Sequence, residues 1–112
     1  MLLKNGLIFT GNGFTPGDIL IEGDKIAAVG TDTGYVSGEV IDLDGRKVLP
    51  GLIDIHTHGC GMKDFCDGTE EALDTLAATY IQNGITTVCP TSMTLPIDRL
   101  EEIYSVYAKW ME

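Results

Sequence analysis

The sequence predicts an α/β protein in which residues 1–50 form a small antiparallel sheet, or half-sandwich. From residue 51 the chain runs strand, helix, strand, helix as a parallel βαβα unit. Three observations predict this. Two-residue turns, Gly23-Asp24 and Asp44-Gly45, cut the first half into short strand-like runs. Pro50-Gly51 breaks the chain between the halves. Beyond that break the apolar spacing changes from two residues to three and four.

Leu2–Thr10 reads as the first strand. Asp18–Glu22 and Lys25–Val29 flank Gly23-Asp24 as one hairpin, and Val40–Leu43 and Arg46–Leu49 flank Asp44-Gly45 as a second. Leu52–His58 is a short strand followed by a glycine-rich loop running to Gly68. Thr69 or Asp67 caps a helix whose first turn carries Glu70 and Glu71, at the positive end of its dipole. Leu73, Leu76, Ala77, Tyr80 and Ile81 mark the buried face of that helix, and Asn83-Gly84 stops it. Ile85–Cys89 is β-branched and short, a buried strand ended by Pro90. Pro96 opens a second helix with the apolar stripe Ile97, Leu100, Ile103, Tyr104 and Tyr107; Tyr104, Tyr107 and Trp110 read as helix packing.

Composition narrows the function. The 112 residues carry 17 acidic and 7 basic side chains, a net charge of −10, so a nucleic-acid partner is not expected. No apolar run approaches the roughly 18 residues of a membrane span. Three cysteines, Cys60, Cys66 and Cys89, form no CxxC and are odd in number, which predicts reduced thiols and a cytoplasmic protein. With 44% apolar residues and 14 glycines, the chain has enough for one modest core and many tight turns.

Chemistry concentrates on the strand after Pro50-Gly51. Side chains alternate across a strand, so Asp54, His56 and His58 share one face and Ile53, Ile55 and Thr57 the other. Helices are expected to cover the isoleucine face. A bare His-x-His often marks two hydrogen-bonded core or surface histidines, but these are the chain's only two, and they stand at the carboxyl end of a parallel strand. At about 3.3 Å of rise per residue, their Cα atoms lie about 6.6 Å apart, close enough for both rings to reach one cation. His56 and His58 are therefore the candidate metal ligands, and Asp54, one layer deeper, is a candidate to orient one of them. Cys60, Gly61 and Thr91, on the loops beyond the two strands, are the candidate substrate contacts; Cys60 reads otherwise as a loop thiol, and turn and cap chemistry explains Thr91, Ser92 and Thr94 about as well. Asp64 and Asp67 are loop carboxylates within possible reach, more ordinarily solvated.

Pro50-Gly51-Leu52-Ile53-Asp54-Ile55-His56-Thr57-His58 resembles the opening barrel strand of the amidohydrolase superfamily. The continuation is narrower: His58-Gly59-Cys60-Gly61, Asp64 and Asp67, then Gly84-Ile85-Thr86-Thr87 and Pro90-Thr91-Ser92-Met93-Thr94 resemble the N-acetylglucosamine-6-phosphate deacetylases. That resemblance implies a (β/α)8 barrel beside a small β-domain, with residues 1–50 matching the β-domain and 51–112 the first two βα units. It implies removal of acetate from N-acetylglucosamine-6-phosphate to give glucosamine-6-phosphate. It implies one or two divalent ions of the Zn, Fe, Mn or Co class, with His56 and His58 at the first ligand pair and the proton-shuttling aspartate on a later strand. Such an ion lowers the pKa of water from 15.7 to about 7 and polarises the amide carbonyl.

A full barrel takes about 250 residues. The chain is therefore expected to be the N-terminal portion of such an enzyme, inactive alone, with the basic groups that hold a sugar phosphate lying elsewhere. The complete enzyme is expected to be a homo-oligomer, and the 112-residue chain to associate through exposed edges. The competing expectations are another superfamily activity, dihydroorotase- or aminoacylase-like, or a non-catalytic metal-binding or structural module.

Overall fold

The computed structural model describes residues 1–112, which divide into two units, Met1–Pro50 and Gly51–Glu112. In the first, Ile8 and Ile19 are buried on one face of the sheet, while Leu2, opposite Leu20 and beyond the irregularity of its strand, is buried on the other. Strand β1 (Leu2–Phe9) pairs antiparallel with β2 (Phe14–Glu22), and β2 with β3 (Lys25–Gly30) around the expected Gly23-Asp24 turn.

The second expected hairpin does not form. β4 (Val40–Asp42) and β5 (Lys47–Val48) do not pair with each other; both run parallel to β1, with Leu2 opposite Val40 and Leu7 opposite Lys47. The sheet is mixed, in the order β3-β2-β1-β4, with β5 also on β1. The cause is local. β1 is irregular between Leu3 and Gly6, where Asn5 has φ +58°. Asp44 and Gly45, at φ +51° and +73°, make a matching kink on the neighbouring segment. Leu43 N–H donates to the Lys4 carbonyl and Gly45 N–H to the Asn5 carbonyl, so the chain steps past the irregularity and stays on the same edge. The Asn5 side-chain amide donates to both carboxylate oxygens of Asp42 at 3.0 Å.

In the second unit, β6 (Leu52–Thr57) pairs in parallel with β9 (Ile85–Pro90), and helix α1 (Glu70–Gln82) connects them. Thr69 caps α1, its hydroxyl accepting Ala72 N–H at 3.2 Å. The expected glycine-rich loop has regular structure of its own. β7 (Gly59–Cys60) and β8 (Lys63–Asp64) form a small hairpin, followed by a 3₁₀ turn over Phe65–Asp67. Asp64 and Asp67 are spent on that turn: the Asp64 carboxylate accepts Cys66 N–H at 2.7 Å and the Asp67 carboxylate accepts Asp64 N–H at 3.0 Å.

The core of this unit is Phe65, Leu73, Leu76, Tyr80 and Ile103, joined by partly buried Ile85, Val88, Val106, Tyr107 and Trp110. Helix α2 (Ile97–Trp110) lays Tyr104 and Tyr107 edge-on against Phe65, with ring centroids 5.5 and 5.3 Å away. The two most exposed residues of the expected stripes are Ile81 at 69% and Ile97 at 75%. Each sits at an end of its helix's apolar stripe, beyond the reach of Phe65 and its neighbours. A larger correction concerns β6, where Ile53 is 66% and Ile55 79% exposed. The helices leave Ile53 and Ile55 open, while Thr57, at the end of the same face, is hydrogen-bonded to Tyr80 of α1. No helix of the chain is long and apolar enough to cross a membrane.

Candidate metal centre

β6 delivers both histidines to its carboxyl end. The rings of His56 and His58 stand 5.2 Å apart between centroids and at 84° to each other, edge to face. His56 is exposed, and His58, one step beyond the strand, is half-buried. Asp54, from the same face, makes no hydrogen bond to either ring: its carboxylate accepts the His56 backbone N–H at 3.1 Å and so fixes the main chain between the layers.

His58 is held at several points. Its ring Nδ1 lies 2.7 Å from the Thr91 carbonyl oxygen, and its own carbonyl accepts Phe65 N–H at 2.7 Å. Thr91 N–H in turn donates to the Thr57 carbonyl at 2.7 Å, so the exits of β6 and β9 are laced together beside the imidazole. On the opposite face of β6, the hydroxyls of Thr57 and Tyr80 share a hydrogen bond of 2.8 Å. Burial of Tyr80 pushes its phenol above the ordinary value, outweighing the Thr57 bond, which acts the other way.

The other candidates are placed differently. Cys60 packs against the core, its thiol directed at the Leu76 carbonyl at 3.9 Å. Gly61 forms the β7–β8 turn so close to α1 that a Cβ there would stand 2.8 Å from the Thr79 hydroxyl. The Thr91 hydroxyl donates to the Cys89 carbonyl at 3.3 Å, and its carbonyl is the group that reaches a site residue. That contact carried no sequence signal, because a backbone acceptor is common to every residue type. A cavity of about 60 Å³ lies between Thr57, His58, Tyr80 and the helix side chains, far below the several hundred Å³ of a small-molecule pocket.

The donor set is two imidazoles, and no group of three or more His, Cys, Asp or Glu side chains gathers anywhere in the chain. Two imidazoles this close are of a donor type that suits a borderline divalent ion, and they would make two of the three protein ligands usual for a catalytic zinc.

The chain is similar to several known proteins. Residues 47–108 match the model of the Amidohydrolase family. Over 102 residues the chain is 39% identical to a dihydroorotase from Lactobacillus leichmannii, covering 90% of this chain and 23% of that protein. The backbone superposes on N-acetylglucosamine-6-phosphate deacetylase from Pasteurella multocida with a TM-score of 0.86 and 26% identity, covering 98% of this chain and 30% of that one. On D-hydantoinase from Bacillus sp. AR9 the TM-score is 0.64 at 26% identity, covering 96% of this chain and 23% of the other. The chain thus spans about a quarter of the length of the curated relatives it matches. Matched over more than half its residues by the family model, with a histidine pair at the exit of a parallel strand, the chain belongs to the amidohydrolase family.

Proposed function

We propose that Gly51–Glu112 is the opening of a (β/α)8 barrel, that Met1–Pro50 is its accompanying β-domain, and that the protein is a metal-dependent hydrolase of the acetamide of N-acetylglucosamine-6-phosphate. The observation that carries the proposal is the His56–His58 pair at the carboxyl end of β6, beside the exit of β9, where parallel βα folds build their sites. His56 and His58 would hold one of the one or two divalent ions of the Zn, Fe, Mn or Co class. A divalent ion held there supplies polarisation of the amide carbonyl and a water molecule acidic enough to attack near neutral pH.

The chain's own residues do the rest of what these 112 positions can do. Asp54 fixes the His56 backbone, and Phe65 and Thr91 fix His58. With both imidazoles engaged as donors to the ion, neither serves as the acid that protonates the leaving amine, so that proton comes from another group. A sugar phosphate is also poorly served by a chain of net charge −10, so its cationic partners lie outside these residues. With two of at least three ligands, residues 1–112 alone are inactive.

A closer backbone match to the deacetylase than to the hydantoinase favours the acetamide. Higher sequence identity to a dihydroorotase favours a second reading, activity on dihydroorotate or a hydantoin. The two separate in one assay series, in which the complete polypeptide that carries this sequence is offered each substrate with zinc present. Acetate release from N-acetylglucosamine-6-phosphate, lost on chelation and in His56→Ala, is the expected result. Turnover of dihydroorotate or a hydantoin alone selects the second reading, and no metal-dependent hydrolysis of any substrate refutes both.

A further inference from the structure

The two histidines are not held alike. The structure gives the His56 ring no hydrogen-bond partner; only its backbone N–H is bonded, to Asp54. His58 is bonded at Nδ1 and anchored through its carbonyl to Phe65, a residue 1% exposed. A carbonyl oxygen only accepts, so at 2.7 Å the Nδ1 of His58 must carry the proton. In the neutral ring that leaves Nε2 as the one nitrogen with a free lone pair.

We infer that the Thr91 carbonyl is a positioning group for His58, fixing its Nδ1–H form so that Nε2 is the donor presented to a cation. On this basis His58 is the prearranged ligand and His56 the one that orders when the ion arrives. The role belongs to the backbone of Thr91, since its hydroxyl is occupied by the Cys89 carbonyl. The carbonyl is held in place by the Thr91 N–H bond to the Thr57 carbonyl and by the pairing of Thr57 with Pro90 in the β6–β9 ladder. Histidine ligands are commonly oriented by a bond from the second ring nitrogen, and loss of such a partner costs about 10- to 100-fold in metal affinity. The inference rests on the metal-centre reading, yet its first test needs no metal.

With only two histidines, ¹⁵N-labelled imidazoles in the metal-free 112-residue chain give two resolvable sets of nitrogen signals, assigned with His56→Gln. At about pH 8, His58 is expected as a single Nδ1–H form and His56 as an average of both forms. Thr91→Val, which keeps the carbonyl, is expected to leave the His58 pattern unchanged. Thr91→Pro, which removes the N–H that anchors the carbonyl, is expected to average it and to weaken zinc binding by about 10- to 100-fold. A wild-type His58 that is Nε2–H, or averaged like His56, overturns the inference without recourse to any variant. An unchanged His58 pattern in a folded Thr91→Pro does the same. Added zinc is expected to shift the His58 Nε2 signal. If it shifts neither histidine while the Nδ1–H form persists, the bond stands, but the ligand role and the metal-centre reading fall together.

Discussion

Gly59 follows His58 directly, and a Cβ at that position would overlap the Lys63 carbonyl across the β7–β8 pair. The residue next to the candidate ligand is therefore glycine because another backbone passes through the space a side chain would need. Gly59→Ala is expected to cost about 1–3 kcal/mol, read as a lower denaturation midpoint, and to loosen His58 along with the hairpin. In the other unit, Asp42 carries the clearest electrostatic signature. The Asp44 N–H, then the Asn5 amide, hold its carboxyl below the ordinary value of 3.8, with Lys4 adding to the effect. The folded state thus binds the proton less well than the unfolded chain, and the stability this contributes is present above pH 3.8 and lost as pH falls through the lowered value. An Asp42→Asn variant is expected to lose part of that acid sensitivity in pH-dependent unfolding; identical acid limbs in the two proteins would contradict it. At this scale the histidine pair was legible, since alternation along a strand fixes which residues share a face. The partners of His58 were not, since a carbonyl from residue 91 becomes its neighbour only through the β6–β9 register.

Among the elements, the helices were readable where chemistry is local. Thr69 followed by two glutamates marks the start of α1, and Asn83-Gly84 its end. Thr69→Ala is expected to destabilise the unit by about 1 kcal/mol, measurable by denaturant unfolding. The 3₁₀ turn was harder to read, because its capping pair, Asp64 and Asp67, reads in sequence as two solvated loop carboxylates. Its importance is large: Phe65 sits at the centre of the core, between α1 and the aromatic side chains of α2. Phe65→Ala is expected to cost about 3–5 kcal/mol, and a loss well under 1 kcal/mol would show that the core is not organised around it. Asp44-Gly45 misled for a related reason. The dipeptide does form a tight turn, but whether a turn joins two paired strands or lets one edge step past an irregularity depends on Asn5, 39 residues earlier.

For the whole molecule, the order of elements was legible and the state of their faces was not. Leu52, Ile53 and Ile55 make β6 look like an inner strand, yet they are 59%, 66% and 79% exposed, and β6 and β9 pair only with each other. A two-stranded parallel sheet with an open apolar face invites further strands. The 112-residue chain is expected to self-associate in light scattering, more at high salt, where screening relieves the repulsion between copies of charge −10. Ile53→Thr with Ile55→Thr is expected to reduce that association, whereas a wild-type monomer at every concentration would argue against it. The functional account depends on the other face of the same strand. Its most direct test is zinc binding to the purified chain, compared among wild type, His56→Ala and His58→Ala. Saturable binding in the wild type, weakened about tenfold or more by either substitution, is the predicted result; equal binding in all three, or none in the wild type, would contradict a metal centre built on this pair.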